Sequence, residues 1–93
     1  MILGALQVEL HIPESGSLKS KRKVLKSLKD RLRHKFNVSL CEVDFQDKWQ
    51  RCLMGIVTVG TSRKFVNEVL DKVLNHIEMI SEIQVLDSQI EID

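Results

Sequence analysis

The pattern of apolar and polar residues divides the chain into alternating and helical segments. Residues 2 to 12 alternate between the two classes, and a period of two predicts a strand. Residues 13 to 17 contain turn formers, and Ser17 is a suitable N-cap for a following helix. From residue 18 to 36 the apolar positions recur three or four apart, which predicts a long amphipathic helix.

Two further strands are predicted on either side of a short polar turn. Residues 38 to 45 predict the second strand, although its apolar phase slips between Leu40 and Cys41 in a way typical of a bulge. The apolar, β-branched run from residue 51 to 59 predicts a central strand.

A second helix and a last strand complete the pattern. Ser62 is a suitable N-cap, and residues 63 to 80 carry a wide apolar stripe at helical spacing. Residues 82 to 93 predict a last strand, whose alternation shifts near Leu86 and Asp87. The predicted order of elements is therefore βαββαβ.

This order predicts a ferredoxin-like fold of the α+β class. Two βαβ halves, residues 2 to 45 and 51 to 93, place both helices on one face of a four-stranded antiparallel sheet if their crossovers are right-handed. A chain of 93 residues supports one hydrophobic core. We therefore predict a single ferredoxin-like domain over residues 1 to 93.

A single layer of helices leaves the other face of the sheet open. On the third strand we assign three residues to the helix side, namely Leu53, Val57 and Val59. The opposite set, Met54 and Ile56, then shares the open face with Leu3 and Ala5. A shift of one residue would exchange the two sets. In either case the open face is partly apolar, which predicts a homodimer or another protein partner.

Composition places the chain among globular domains, with 43% hydrophobic and 29% charged residues. The first six residues contain no basic segment typical of a signal peptide, and no apolar run approaches the length of a membrane span. We therefore expect a cytoplasmic location. Cys41 and Cys52 form no CxxC pair, and in a reducing compartment we interpret both as small buried hydrophobes.

Charge is distributed very unevenly behind a net charge of +1. Nine of the fourteen Lys and Arg residues lie between Lys19 and Lys35 with a single acid, Asp30, so this segment carries +8. The rest of the chain, with five basic and twelve acidic residues, carries −7. Cations in the first turns of a helix oppose its dipole, and like charges four residues apart repel each other. Helix stability therefore does not explain them.

The basic residues point to a phosphate-binding surface. At 100° per residue, six of them fall within an arc of about 120°, beside the apolar stripe. A phosphate at Ser15 to Ser17 would also relieve the opposition to the helix dipole. The predicted nucleic-acid-binding residues are Ser17, Lys19, Lys21, Arg22, Lys23, Lys26, Lys29, Arg33, Trp49 and Arg51. Alternatively, the helix is balanced by acids elsewhere in the fold or by an acidic protein partner. Trp49 either closes the open end of the core or stacks on a base or partner.

Several kinds of site are not supported by the sequence. The first and third strands contain no Phe, Tyr or Trp, which excludes the base-stacking mode of the RNA-recognition motif. His11, His34 and His76 have no spacing suited to a metal. Glu42 and Asp44 lie on one side of the second strand, and we interpret them as a solvated edge. We expect no metal site, no cofactor and no enzymatic activity.

Four segments carry a resemblance to a known family. They are residues 17 to 27 (SLKSKRKVLKS), 36 to 39 (FNVS), 42 to 43 (EV) and 47 to 51 (DKWQR). With these segments the chain resembles the YlxP-like family of small bacterial proteins, classed as a domain of unknown function. The resemblance implies a ferredoxin-like fold and a gene often found among those for transcription and translation factors, near ribosome-binding factor A. It implies no established activity.

Taken together, charge and resemblance favour a non-enzymatic protein associated with RNA or the ribosome through its basic first helix. The alternative is an interaction module that dimerises through the open sheet face and docks an acidic partner. A small-molecule phosphate binder or enzyme, with its ligand at Ser15 to Ser17, is a weaker third possibility.

Overall fold

The computed structural model describes all 93 residues, and its elements follow the predicted order. They are β1 (Ile2–His11), α1 (Leu18–Lys35), β2 (Ser39–Asp44), β3 (Arg51–Gly60), α2 (Arg63–Glu78) and β4 (Gln84–Ile92). Every element begins and ends within two residues of its predicted bounds. Neither helix combines the length and the apolar composition that crossing a membrane requires.

The four strands form one sheet in the order β2-β3-β1-β4. All three neighbouring pairs are antiparallel, and β1 pairs with β3 along its whole length, from Ile2 opposite Gly60 to His11 opposite Arg51. With two crossover helices, this is the ferredoxin-like fold that the sequence predicts.

Both helices begin at the predicted caps. Ser17 accepts a hydrogen bond from the backbone N–H of Ser20 at 3.0 Å, and Ser62 accepts one from that of Phe65 at 3.1 Å. Each hydroxyl satisfies an N–H group that has no partner within its own helix.

One of the two predicted strand irregularities is confirmed and the other lies elsewhere. In β4, Val85 pairs with Leu10 and Asp87 with Glu9, so Leu86 is the extra residue of a bulge. In β2 the register shifts after Glu42 rather than at Leu40, because residue 43 is unpaired and Asp44 is opposite the next residue of β3.

The face assignment of β3 is wrong, and the shifted alternative holds. Met54 and Ile56 are fully buried beneath the helices, because they pair with Val8 and Leu6, which are themselves core residues. The set assigned to the core faces the open side instead: Leu53, Val57 and Val59. Both sets on β3 are apolar, so alternation alone does not specify which one is buried.

Helix α2 packs closely on the inner strand β1 at Gly4. A Cβ atom on Gly4 would overlap Val66 Cγ1 and lie 3.0 Å from Leu70 Cδ1. The missing side chain therefore allows α2 to approach β1. Helix α1 covers the same face through its own buried leucines, Leu25, Leu28 and Leu32.

Candidate nucleic-acid interface

Six cations form one outward surface of α1, which we call the basic stripe. Its members are Lys19, Arg22, Lys23, Lys26, Lys29 and Arg33. Five of them are exposed and Lys29 is partly exposed, whereas the leucines of the helix face the core. From Lys19 to Arg33 the stripe is about 21 Å long.

The protein neutralises little of the basic stripe. The structure contains three ion pairs, and only that of Lys26 with Asp30, at 3.0 Å, involves the stripe. This pair is exposed and joins residues four apart, an arrangement worth a few tenths of a kcal/mol, about 0.3 to 0.5. The other five cations have no carboxylate within 4.0 Å. Arg33 also donates to the Leu40 carbonyl at 3.4 Å.

Lys21 is not part of this surface, contrary to the sequence prediction. Its side chain is 1% exposed, and its Nζ lies 2.6 Å from Glu42 Oε2. The same Nζ donates to the Phe45 carbonyl at 2.7 Å. A phosphate cannot reach a cation that is enclosed and already paired, so Lys21 leaves the candidate set. It joins the start of α1 to the end of β2.

Glu42 is enclosed as well, so it does not belong to a solvated edge. Its carboxylate lies beside both the Lys21 ammonium and the Cys52 thiol. Burial, reinforced by the Glu42 charge, raises the pKa of Cys52 to about 12. Cys52 therefore stays protonated at neutral pH and is no nucleophile. Cys41, predicted to be buried, is exposed on the neighbouring strand.

The loop between β2 and β3 presents Trp49 to solvent. Trp49 is 56% exposed, so the interpretation that it closes the end of the core is wrong. Arg51 is engaged within the protein, since its Nη2 lies 2.9 Å from Glu9 Oε1 and its guanidinium lies 4.3 Å from the Phe45 ring centroid. The Trp49 side chain thus remains available, whereas Arg51 is partly neutralised.

The turn before α1 is internally bonded. Ser15 is buried, and its hydroxyl donates to the Ser17 carbonyl at 3.1 Å. The Ser17 hydroxyl serves as the N-cap. Both hydroxyls therefore have structural roles, and the turn adds no further side chain to the basic stripe.

The other side of α1 is also electropositive. His76 of α2 is partly buried beside it, with its ring edge-on to Phe36 at 6.2 Å between centroids. Burial first, and then the charges of Lys35 and Arg31, lower the pKa of His76 below its usual 6.5. The cations of α1 thus act on neighbouring groups inside the protein as well as outside it.

Comparison with known proteins places this chain in a family. A family model described as protein of unknown function, DUF503, matches residues 3–90. The chain belongs to the DUF503 family. It is also 42% identical, over 83 residues, to the uncharacterized protein YlxP of Bacillus subtilis (strain 168), a match covering 89% of this chain and 90% of that protein. The resemblance to a YlxP-like family is therefore confirmed.

The sequence of this DUF503 chain does indicate that Lys21 is buried. Lys21 lies four residues before Leu25 and seven before Leu28, on the helical face that those leucines share. A lone cation at the centre of an apolar face is expected to be buried and paired. Its partner, Glu42, cannot be deduced from spacing, because the pair joins residues 21 apart on different elements.

Proposed function

We propose that this DUF503 protein is a non-enzymatic RNA-binding protein whose basic stripe contacts the phosphate backbone. One observation supports the proposal above all: five of the six stripe cations face solvent, or partly face it, without a carboxylate of their own protein. The proposal includes a cytoplasmic location and association with the ribosome or another RNA.

The basic stripe destabilises its own helix, which favours a role for these cations in binding another molecule. Within the basic stripe, three pairs of like charge lie four residues apart, namely Lys19–Lys23, Arg22–Lys26 and Lys29–Arg33. Each such pair destabilises a helix by about 0.2 to 0.5 kcal/mol. A phosphate backbone would turn this repulsion into attraction and release its own condensed counterions.

The stripe suits a backbone rather than a base sequence. Lysine and arginine contacts to phosphate position a protein on a nucleic acid without reading its bases. The open sheet face, which stacks bases in the RNA-recognition motif, has the aliphatic residues Leu3, Val57 and Val59 here. RNA is preferred over DNA because of the expectation attached to the family resemblance, since the stripe itself fits either.

The first test is the salt dependence of RNA binding. Six phosphate contacts predict that log K falls against log salt concentration with a slope of about −4 to −5. Fluorescence anisotropy with a labelled RNA at several ionic strengths measures this slope. A slope near zero would contradict phosphate contacts by the stripe.

Charge reversal on α1 tests where the RNA binds. The triple variant Arg22→Glu, Lys26→Glu and Arg33→Glu should abolish binding while the far-UV circular dichroism spectrum is retained. The matched control reverses the three cations of α2: Arg63, Lys64 and Lys72. Both variants change the net charge by the same amount, so equal losses would show that only overall charge matters and would exclude a defined site on α1.

A second candidate function is protein interaction through the open sheet face. Four large apolar side chains on this side of the molecule are 44 to 49% exposed: Leu3, Val43, Val57 and Val59. Leu3 pairs directly with Val59, so their side chains share this face. Exposed apolar patches on soluble proteins commonly mark interfaces. We propose that a second copy of the chain covers this face, leaving α1 free to dock an acidic partner.

The dimer is tested by its mass in solution. Sedimentation equilibrium of the native chain should show a dimer, and Val57→Lys with Val59→Lys should give a monomer that keeps the far-UV circular dichroism spectrum of the native chain. A native chain that stays monomeric over the concentration range would overturn the dimer. This would leave RNA binding by α1 unaffected.

A further inference from the structure

We infer that Trp49 stacks on an unpaired nucleobase, so that the protein prefers single-stranded RNA, or the loop of a folded RNA, over a continuous duplex. This inference rests on the proposed function and specifies the RNA that it binds. It depends on three features of the loop between β2 and β3: its rigidity, the chemistry of its cleft, and its place beside the start of α1.

The loop is held firmly, so the exposure of Trp49 does not result from a loose segment. The Gln50 carbonyl accepts from the Ile12 N–H at 2.8 Å, and the Gln50 side-chain amide donates to the carbonyls of Pro13 and Ser15, each at 3.1 Å. On the N-terminal side of Trp49, the Lys48 N–H donates to the Phe45 carbonyl at 3.0 Å.

Phe45 is the second anchor of this loop. It adopts a left-handed backbone conformation, with φ of 64°, which is uncommon for a bulky residue. Its carbonyl also receives the buried Lys21 ammonium, and its N–H donates to the Asp44 carboxylate at 2.7 Å. The conformation is therefore held by specific contacts, and these contacts fix the start of the loop that contains Trp49.

The surroundings of Trp49 fit a nucleotide. A cleft of about 490 Å³ lies beside it, within the usual size range of small-ligand sites. The lining residues are His11, Lys48, Trp49, Gln50 and Arg51. This set combines an aromatic face with cations, an imidazole and an amide, and it includes no carboxylate. An indole face stacks on any base, and a neighbouring lysine can contact the adjoining phosphate.

The cleft lies at the end of the molecule where α1 begins. The Gln50 side chain reaches the turn that precedes the helix, and Lys21 in the second turn of α1 reaches Phe45. The basic stripe starts at Lys19, two residues before Lys21 in the chain, so it begins at the same end of the molecule. An RNA strand bound along the stripe would therefore approach, at this end of the molecule, the cleft that contains Trp49.

Duplex RNA offers no such base. Its bases are paired and stacked inside the helix, and only their edges reach the grooves. The basic stripe would bind both forms through phosphates, whereas Trp49 would add affinity only for the unpaired form. A preference for single-stranded over duplex RNA would therefore come from Trp49 and not from the basic stripe.

The test uses the single Trp of the chain as its own reporter. The chain has one Trp and no Tyr, so emission excited at the red edge comes from Trp49. Titration with single-stranded oligouridine should quench this emission, and titration with an RNA duplex of equal phosphate content should quench it far less. Binding is followed in parallel by anisotropy of labelled RNA.

Three variants separate stacking from other effects. Trp49→Ala should weaken single-strand binding by roughly 5- to 150-fold, the range expected for loss of one stacked base, with little change for the duplex. Trp49→Phe should restore most of the affinity. Phe65→Ala is the matched control, because Phe65 is 54% exposed on α2 and should not affect binding.

Each outcome discriminates. If Trp49→Ala binds single strands as tightly as the native chain while binding remains salt-dependent, the stacking inference is overturned and the proposed function stands. If single strand and duplex quench equally, selectivity for unpaired bases is refuted. If the native chain binds neither RNA, the proposed function itself fails.

Discussion

The two helices cover the same face of one sheet, but their charges differ sharply. Helix α1 contains nine basic residues and one acid. Helix α2 has three of each sign: Arg63, Lys64, Lys72, Glu68, Asp71 and Glu78. Both have buried apolar faces and serine caps. A helix can therefore pack on this sheet without an excess of positive charge, so packing on the sheet does not explain the charge of α1.

The helices also differ in how they are attached. Helix α2 has an all-apolar buried face and approaches β1 over Gly4. Helix α1 places a buried lysine among its leucines and pairs it with Glu42 on an edge strand. One helix is positioned by close packing and the other by packing plus a directional ion pair. The ion pair also supports the loop that presents Trp49.

Breaking the ion pair of α1 should have the largest effect. Lys21→Met leaves the Glu42 carboxylate largely enclosed without its partner, and we expect a loss of about 3 kcal/mol of unfolding free energy. Urea denaturation measures it. Adding Glu42→Leu to Lys21→Met should restore much of the loss, because an apolar pair replaces an ionic one. The neighbouring Arg22→Met should change stability by less than about 0.5 kcal/mol. Equal effects at the two positions would refute the buried role of Lys21.

Disturbing the close packing of α2 should have the next largest effect. Gly4→Ala places a methyl group against Val66 and Leu70, and overpacking of this kind costs about 1 to 3 kcal/mol. Gly16→Ala is the control, because no atom lies within 4 Å of its new Cβ and its φ is not positive. We expect that control to be neutral or slightly stabilising in thermal melts. A neutral Gly4→Ala would show that α2 can move away from the sheet.

Reversing the charge of Lys19 in α1 should stabilise the fold while weakening the proposed RNA binding. Lys19→Glu puts an acid in the first turn and creates a Glu–Lys pair with Lys23, a gain of about 0.5 to 1.5 kcal/mol. The control is Lys64→Glu on α2, which gains the same interaction with the helix dipole. It also places an acid four residues before Glu68, and the two like charges repel each other. We expect Lys19→Glu to raise the melting temperature more. A lower melting temperature would mean that Lys19 has a structural role.

The smallest predicted effect is a pH dependence at the contact between the helices. The pKa of His76 is lowered by burial and by the Lys35 and Arg31 charges. The folded state therefore binds a proton at His76 more weakly than the unfolded chain, in which the pKa is near 6.5. Stability from this group is complete above 6.5 and declines as pH falls below it. His76→Phe, which keeps an aromatic ring against Phe36, should lose less stability than the native chain between about pH 7.5 and 5.5.

His34→Gln is the control for this pH dependence, because His34 is exposed on α1 and the substitution leaves His76 in place. The native pH dependence should remain in that variant. Identical pH profiles for the native chain and His76→Phe would exclude His76 as the titrating group.

Local pattern predicts most of the fold but only part of the candidate site. The elements and both serine caps follow from periodicity and capping chemistry, which act over a few residues. The buried face of β3 does not, because Met54 and Val57 are equally apolar and pairing with β1 decides between them. The burial of Lys21 and the exposure of Trp49 depend on contacts between distant segments. Lys21 pairs with Glu42 on β2, and Trp49 lies in a loop that is hydrogen-bonded to residues 12 to 15.

The bulges at the two edge strands have a consequence for how copies of the chain can associate. β2 is six residues long and loses register after Glu42, and β4 carries its extra residue at Leu86. Edge strands with bulges pair poorly with a strand from another chain, and this protects the protein against fibril formation. Even at high concentration, copies of this protein should therefore not join edge to edge into a continuous sheet.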